Sequence, residues 1–188
     1  LLGASMVPGL VGTGLDFNQV ALLGERGLSP AVAATVFTVA AAVNLPAALL
    51  SGRLVDRWPV RLTLAAGQLL LAVATLWLLL VGTPASAYAY GALRGLTVGL
   101  WMVAIDAAWP TYFGRRHLGG IRGLTFAAEI VGAALGPLPF GVVYDLLGGY
   151  SAALLGVAML PLMAAGMVLA APPPGAPPEE ATPDQGPS

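Results

Sequence analysis

Few residues of this chain have the means to do chemistry, and most of them fall inside long apolar runs. Asp16, Asn18 and Gln19 sit near one end of the first run and Asn44 lies in the second. The fourth run holds Arg94 and Asp106, and the fifth holds Glu129. The third offers only Gln68 and hydroxyls, and the sixth has no charge at all. An ionisable group inside a bilayer is costly and faces a cavity or a partner. Runs one, two, four and five are therefore expected to line a polar interior, with three and six outside. Arg94 lies nine residues from Ala85, and Glu129 nine from Gly120. At 1.5 Å per helical residue each is roughly 13 Å from its own surface, close to the midplane of a roughly 30 Å core. An unpaired charge there costs about 2.5–3.5 kcal/mol or more. Arg94 and Glu129 are thus expected to pair across consecutive antiparallel helices. An anionic solute would compete for Arg94, and the released Glu129 would take up a proton. The plainer alternative is a static pair that only fixes helix packing.

Other chemistries find little support. There is no cysteine, which excludes disulfides, thiolate metal sites and a nucleophilic thiol. No metal site and no cofactor is expected. An intramembrane enzyme needs an embedded nucleophile beside a base. Ser5, Ser29, Ser51, Ser86 and Ser151 lie at or near segment ends, and His117, the single histidine, lies in a basic loop where a headgroup contact explains it. An enzyme is not expected. A formal net charge of −1 offers no basic face for nucleic acid.

The elements that must position these residues follow from composition. Hydrophobic residues make up 57% of the chain and charged residues 9%, with a mean hydropathy of +0.84. A soluble domain carries roughly 25% charged residues, so lipid must be the solvent for most of this chain. Six apolar segments run from Leu1 to Leu23, Pro30 to Leu50, Val60 to Val81, Ser86 to Trp109, Gly120 to Tyr144, and Tyr150 to Ala171. Each is long enough to span a bilayer as a helix. Strands fit poorly, because the runs are continuous and rich in Ala and Leu rather than alternating. Ser29-Pro30 is an N-cap followed by proline at the first helical position. Pro46, Pro137, Pro139 and Pro161 fall inside segments, where packed membrane helices accept them as kinks. Gly91, Gly95 and Gly99, and again Gly132 and Gly136, repeat at the four-residue spacing that lets helix backbones approach in lipid.

The expected organisation is a transmembrane unit over 1–171 and a disordered tail over 172–188 with seven prolines, three acids and no cation. Leu1 begins inside an apolar run with no initiator Met, as a cut through a helix would, so upstream sequence is expected to be missing. All eight cations are Arg, which hints at a GC-rich genome. Arg53, Arg57 and Arg61 lie in the loop after the second segment, and Arg115, Arg116 and Arg122 in the loop after the fourth; the opposite loops carry only Arg26. Six against one makes the Arg-rich side, and with it the tail, cytoplasmic.

The second segment ends in Gly52-Arg53-Leu54-Val55-Asp56-Arg57-Trp58-Pro59-Val60-Arg61. This resembles the G-x-L-x-D-R-x-G-R-R cytoplasmic loop signature of the major facilitator superfamily. Gly52, Leu54, Asp56, Arg57 and Arg61 match, while Pro59 stands for a glycine and Val60 for a cation. The resemblance implies helices seven to twelve of a twelve-helix transporter, whose helices seven, eight, ten and eleven line the cavity. Trp109 to Gly119 is similar to a loop of the monocarboxylate and oxalate/formate branch. Physically, Gly52 is expected to let two helices approach. Asp56 is expected to face a helix N-terminus, and Arg57 and Arg61 to pair with carboxylates or lipid phosphates. Contacts of that kind bias a two-state equilibrium; a topology anchor is the bland alternative.

The expectation is an all-α integral membrane protein: a six-transmembrane-helix bundle that forms half of a twelve-helix major facilitator fold. It would act as a multi-pass secondary transporter in the cell membrane, a bacterial inner membrane, moving a small solute by alternating access. Proton-coupled transport of an organic anion is the most specific form of that reading. Its partners would be a small-molecule substrate, membrane lipid and the missing N-terminal six-helix half. Candidate substrate and coupling residues are Arg94, Glu129, Asp16, Asn18 and Asn44, and the gating loop comprises Gly52, Asp56, Arg57 and Arg61. Export of drug-like solutes and a non-transporting structural or sensory protein are the alternatives.

Overall fold

A computed structural model describes residues 2–113 and 118–171. The expected tail, Leu1, and Arg115, Arg116 and His117 of the second basic loop lie outside the described residues. Within them the chain is all helix: α1 (Leu2–Glu25), α2 (Pro30–Arg57), α3 (Val60–Trp77) continued by a 3-10 turn (Leu78–Leu80), α4 (Pro84–Phe113), α5 (Leu118–Leu135), α6 (Pro137–Leu147) and α7 (Ser151–Ala170). Five spans are long and apolar enough to cross a membrane: Pro30–Arg57, Val60–Leu80, Pro84–Tyr112, Gly119–Leu147 and Ser151–Ala170. The sixth expected crossing, α1, has 24 residues and is long enough, but with Asp16, Asn18 and Gln19 in it α1 is not among these five.

Local signals explain the boundaries. The Ser29 hydroxyl accepts from the Val32 amide at 3.4 Å and Pro30 opens α2, as the sequence predicts. Gly148, at φ 68°, ends α6 in the left-handed conformation that L side chains resist. Pro46 and Pro161 are carried inside unbroken helices. Pro137 is not: the fifth segment breaks at Gly136 into α5 and α6, because proline there has no amide to donate and its ring crowds the preceding turn.

Helix α2 runs two turns beyond its expected end at Leu50. Gly52, Asp56 and Arg57 are therefore helical, and Trp58 and Pro59 alone connect α2 to α3. A Cβ at Gly52 would meet nothing within 4 Å, so the close approach expected of that glycine does not occur among the described residues.

The two glycine stripes do what their spacing predicts. Cβ atoms added at Gly91, Gly95 and Gly99 would stand 2.8, 2.4 and 2.8 Å from Val36 O, Ala40 O and Ala47 Cβ, so α4 lies directly on the α2 backbone. At Gly132 and Gly136 they would stand 2.6 and 2.4 Å from Met6 O and Leu10 O of α1. The glycines thus fix the pairings α2–α4 and α1–α5, while α3 packs on α7 and α4. The main core surrounds Val11, Leu15, Leu71, Tyr90, Phe140 and Leu154.

At one end the loops are tied together. Arg26 Nη1 donates to Leu79 O at 2.9 Å, and Nη2 reaches Ser151 Oγ at 3.5 Å. Trp77 Nε1 donates to Ser86 O at 3.0 Å, and the Tyr150 amide donates to Glu25 Oε2 at 3.4 Å.

Candidate functional site

Arg94 projects from the middle of α4 into the bundle and is 7% exposed. Its Nη2 donates to Asp16 Oδ1 at 2.9 Å and Oδ2 at 3.0 Å, and lies 3.5 Å from Gly12 O. A Cβ at Gly12 would be 3.3 Å from that nitrogen, so the small residue one turn before Asp16 makes room for the guanidinium. The Asp16 side chain is 46% exposed. The pair is therefore buried at its cation and open at its carboxylate. The hydroxyl of fully buried Tyr90, one turn earlier on α4, lies against the Arg94 guanidinium, whose Nε makes no hydrogen bond among the described residues.

This corrects the expected Arg94–Glu129 pair. Helices α4 and α5 are consecutive, but α5 is drawn onto α1 and α4 onto α2 by their glycines, and α4 meets α5 only sparingly. The carboxylate in reach of Arg94 belongs to α1. Glu129 is half-buried nearby and takes part in neither of the two ion pairs of the described residues.

Three cavities meet at these groups. A cavity of about 230 Å³ is walled by α1, α4 and α5, with Pro8, Gly12, Asp16, Arg94, Trp101 and Glu129 in its lining and Leu71 as the contribution of α3. A second, of about 240 Å³, lies between α4 and α5 and holds Asp106, Trp109, Arg122, Thr125, Phe126 and again Glu129. Arg122 and Asp106 are ion-paired there, on exposed side chains. A third, of about 110 Å³, holds Asp16, Gln19, Asn44 and Arg94 between α1, α2 and α4. Arg94 and Asp16 are thus shared by two cavities, and Glu129 by two. The polar lining residues of these cavities come from α1, α2, α4 and α5, but α3, expected outside, also reaches the interior: Leu71 lines the first cavity and buried Gln68 donates to Ala4 O at 2.8 Å.

The remaining candidates divide. Asn44 lines the third cavity. Asn18 turns back on its own helix, donating to Gly14 O at 2.9 Å, and lines none of the three. Asp56, Arg57 and Arg61 are in no ion pair among the described residues; Asp56 and Arg57 are exposed. Sequence reasoning did not foresee Tyr90 or the Asp106–Arg122 pair. Tyr90 was signalled by its position four residues before Arg94; Asp106 and Arg122, sixteen residues apart on different helices, carry no such signal. Gln19, noted only as polar, is 2% exposed and donates to Ala33 O at 2.8 Å, fastening α1 to α2.

A polytopic bundle of apolar helices, with charged side chains gathered around cavities at membrane depth, defines the class of membrane transport proteins. A family profile described as Major Facilitator Superfamily matches residues 2–187, and the chain belongs to that superfamily. It is a transporter of the major facilitator type, a family of transporters rather than enzymes. No curated protein compared with the chain matches it.

Proposed function

We propose that the chain is one six-helix half of a secondary transporter that carries a small organic anion by alternating access, with Arg94 as its anion-binding residue. The observation that carries this reading is a buried guanidinium held by a half-exposed carboxylate in a cavity wall, with its Nε unengaged. Asp16 occupies the place an anionic group would take. A substrate carboxylate displaces it. A substrate anion would be worth more here than in water, because the guanidinium is desolvated already.

The displaced charge must be compensated. Glu129 shares the cavity with Asp16 and Arg94 and also borders the cavity of Asp106 and Arg122. A proton held on Glu129 would offset the freed carboxylate on one side and leave through the second cavity on the other. The cavity is completed by a second six-helix unit on its open side, near the midplane where such substrates bind. The Arg-rich ends face the cytoplasm of a cell membrane. Arg26 is the one cation of the opposite loops, against six arginines on this side.

The test is substrate binding and flux of the complete transporter in proteoliposomes. Arg94→Gln abolishes anion binding, whereas Glu129→Gln keeps binding and loses its pH dependence. Normal anion binding by a folded Arg94→Gln protein would falsify the assignment.

A further inference from the structure

A fourth cavity lies away from these three. It has a volume of about 320 Å³ and is formed by α2, α3 and α4, with Leu50, Leu54, Leu70, Leu96 and Leu100 in its walls. Its one hydroxyl, on Ser51, already donates to Ala47 O at 2.7 Å. The lining therefore offers nothing to a polar solute. Its place on α4 is informative. At about 100° per residue, Leu96 is roughly 200° round the helix from Arg94. The face that carries Arg94, Val98 and Trp101 borders the polar cavity, and the leucines occupy the opposite side. The crevice opens on the back of the bundle, towards lipid.

The α2 wall does not end in leucine. Leu50 and Leu54, and Arg53 and Arg57, are each four residues apart, and the four fall on one side of the helix. Arg53 and Arg57 are exposed and in no ion pair among the described residues. The α2 wall of the crevice, which ends at Leu54, is thus followed on the same side of the helix by two exposed guanidinium groups one turn apart. Hydrocarbon at one end and an anion at the other is the chemistry of an anionic phospholipid. Guanidinium groups bind phosphate bidentately, and the acyl chain would cover Leu50 and Leu96, which are 64% and 41% exposed.

We propose that this crevice is a site for one anionic phospholipid, its acyl chain between α2, α3 and α4 and its phosphate on Arg53 and Arg57. The site is separate from the substrate cavity and needs only that the chain lies in a membrane. It also gives Arg57, the signature arginine at the end of α2, a ligand within this chain's own surface. A lipid clamped there would hold the α2–α3 connection against α4, so its presence would bear on how freely the end of α2 moves.

The test uses the 188-residue chain in mild detergent with equal amounts of phosphatidylglycerol and phosphatidylcholine, read by native mass spectrometry. The expected result is retention of phosphatidylglycerol over phosphatidylcholine by about 30-fold, the factor that two arginines contribute near an anionic surface. Arg53→Gln with Arg57→Gln removes the preference, and Arg53→Lys with Arg57→Lys keeps it. Leu50→Trp, at an exposed position, fills the crevice and lowers retention of both lipids. Arg94→Gln changes nothing here, so failure of the substrate reading leaves this result intact. Equal retention of the two lipids by the unmodified chain overturns the site. So does loss of preference in the lysine variant, or unchanged retention in Leu50→Trp, because the lipid would then lie elsewhere.

Discussion

Arg94 is held by a partner that is itself half in the open, and this asymmetry decides what each substitution does. Asp16→Asn leaves a guanidinium that is 7% exposed without its carboxylate. Breaking a fully buried pair costs about 3–5 kcal/mol; the exposed side of Asp16 places this one at or below the lower bound. If Arg94 receives the substrate anion, a bound anion repairs that loss. Asp16→Asn should therefore melt lower than the parent in detergent. A panel of small carboxylates should raise its melting temperature more than they raise the parent's. Equal shifts in both would mean that the anion does not take the place of Asp16. Asp56→Asn should act differently, since Asp56 is exposed at the end of α2 and far from the cavity. In the complete transporter it should shift the balance of inward- and outward-open states, read from the accessibility of cavity cysteines, with little change of affinity within a fixed state. The residues of the site were legible in the sequence because charge inside an apolar run is conspicuous. Their pairing was not, because it depends on which helices touch, and chain order suggested α4 with α5.

At the scale of elements, that missing information was present as glycines. The stripes on α4 and α5 announced close packing, but a stripe names one face and not the helix it meets. The structure supplies the partners, α2 and α1. The same limit applies to breaks: proline at Pro46, Pro137 and Pro161 looks alike in sequence, and only Pro137 separates two helices. Gly136 just before it already lies against Leu10 O of α1, so that site joins a helix break to a tight contact. Not all glycines matter equally, and the difference can be measured. Gly95→Leu must force apart α4 and α2, because even a Cβ would be 2.4 Å from Ala40 O. A cost of at least about 1–3 kcal/mol is expected, seen as a lower melting temperature. Gly166 in α7 has nothing within 4 Å of its added Cβ. Gly166→Ala should be neutral or stabilise by up to about 1 kcal/mol, the usual helix preference for alanine. If both variants melt alike, the stripe does not govern the packing.

At the scale of the whole molecule, coverage is uneven, and this predicts what the chain can do alone. Of the most apolar window of each span, 17% is buried in α2 and 17% across α5 and α6, against 56% in α3 and 44% in α4 and α7. The two barely covered spans are those that flank the polar cavities with α1 and α4. They present Phe37, Leu45 and Leu49 on one side and Phe126, Ile130 and Leu135 on the other as exposed apolar surface. Lipid can cover such side chains, but it cannot cover Asp16, Glu129 and Asn44 at low cost, because polar groups facing hydrocarbon are expensive. A second helical unit seated across α2 and α5 would cover both kinds of surface at once and convert open cavities into an enclosed site. Orientation can be tested first, since the chain has no cysteine. Pro59→Cys and Gly120→Cys should be shielded from an impermeant thiol reagent in intact cells, while Gly24→Cys and Ala85→Cys should label; the reverse pattern would invert the topology. Flux tests the open wall itself. The purified 188-residue chain, reconstituted at low density, should give no saturable anion uptake, and co-reconstitution with the complementary six-helix unit should restore it. Saturable uptake by the chain alone, lost on dilution into single-copy vesicles, would mean instead that two copies close the cavity against each other. Uptake that survives that dilution would mean that the wall formed by α1, α2, α4 and α5 is already a complete pathway.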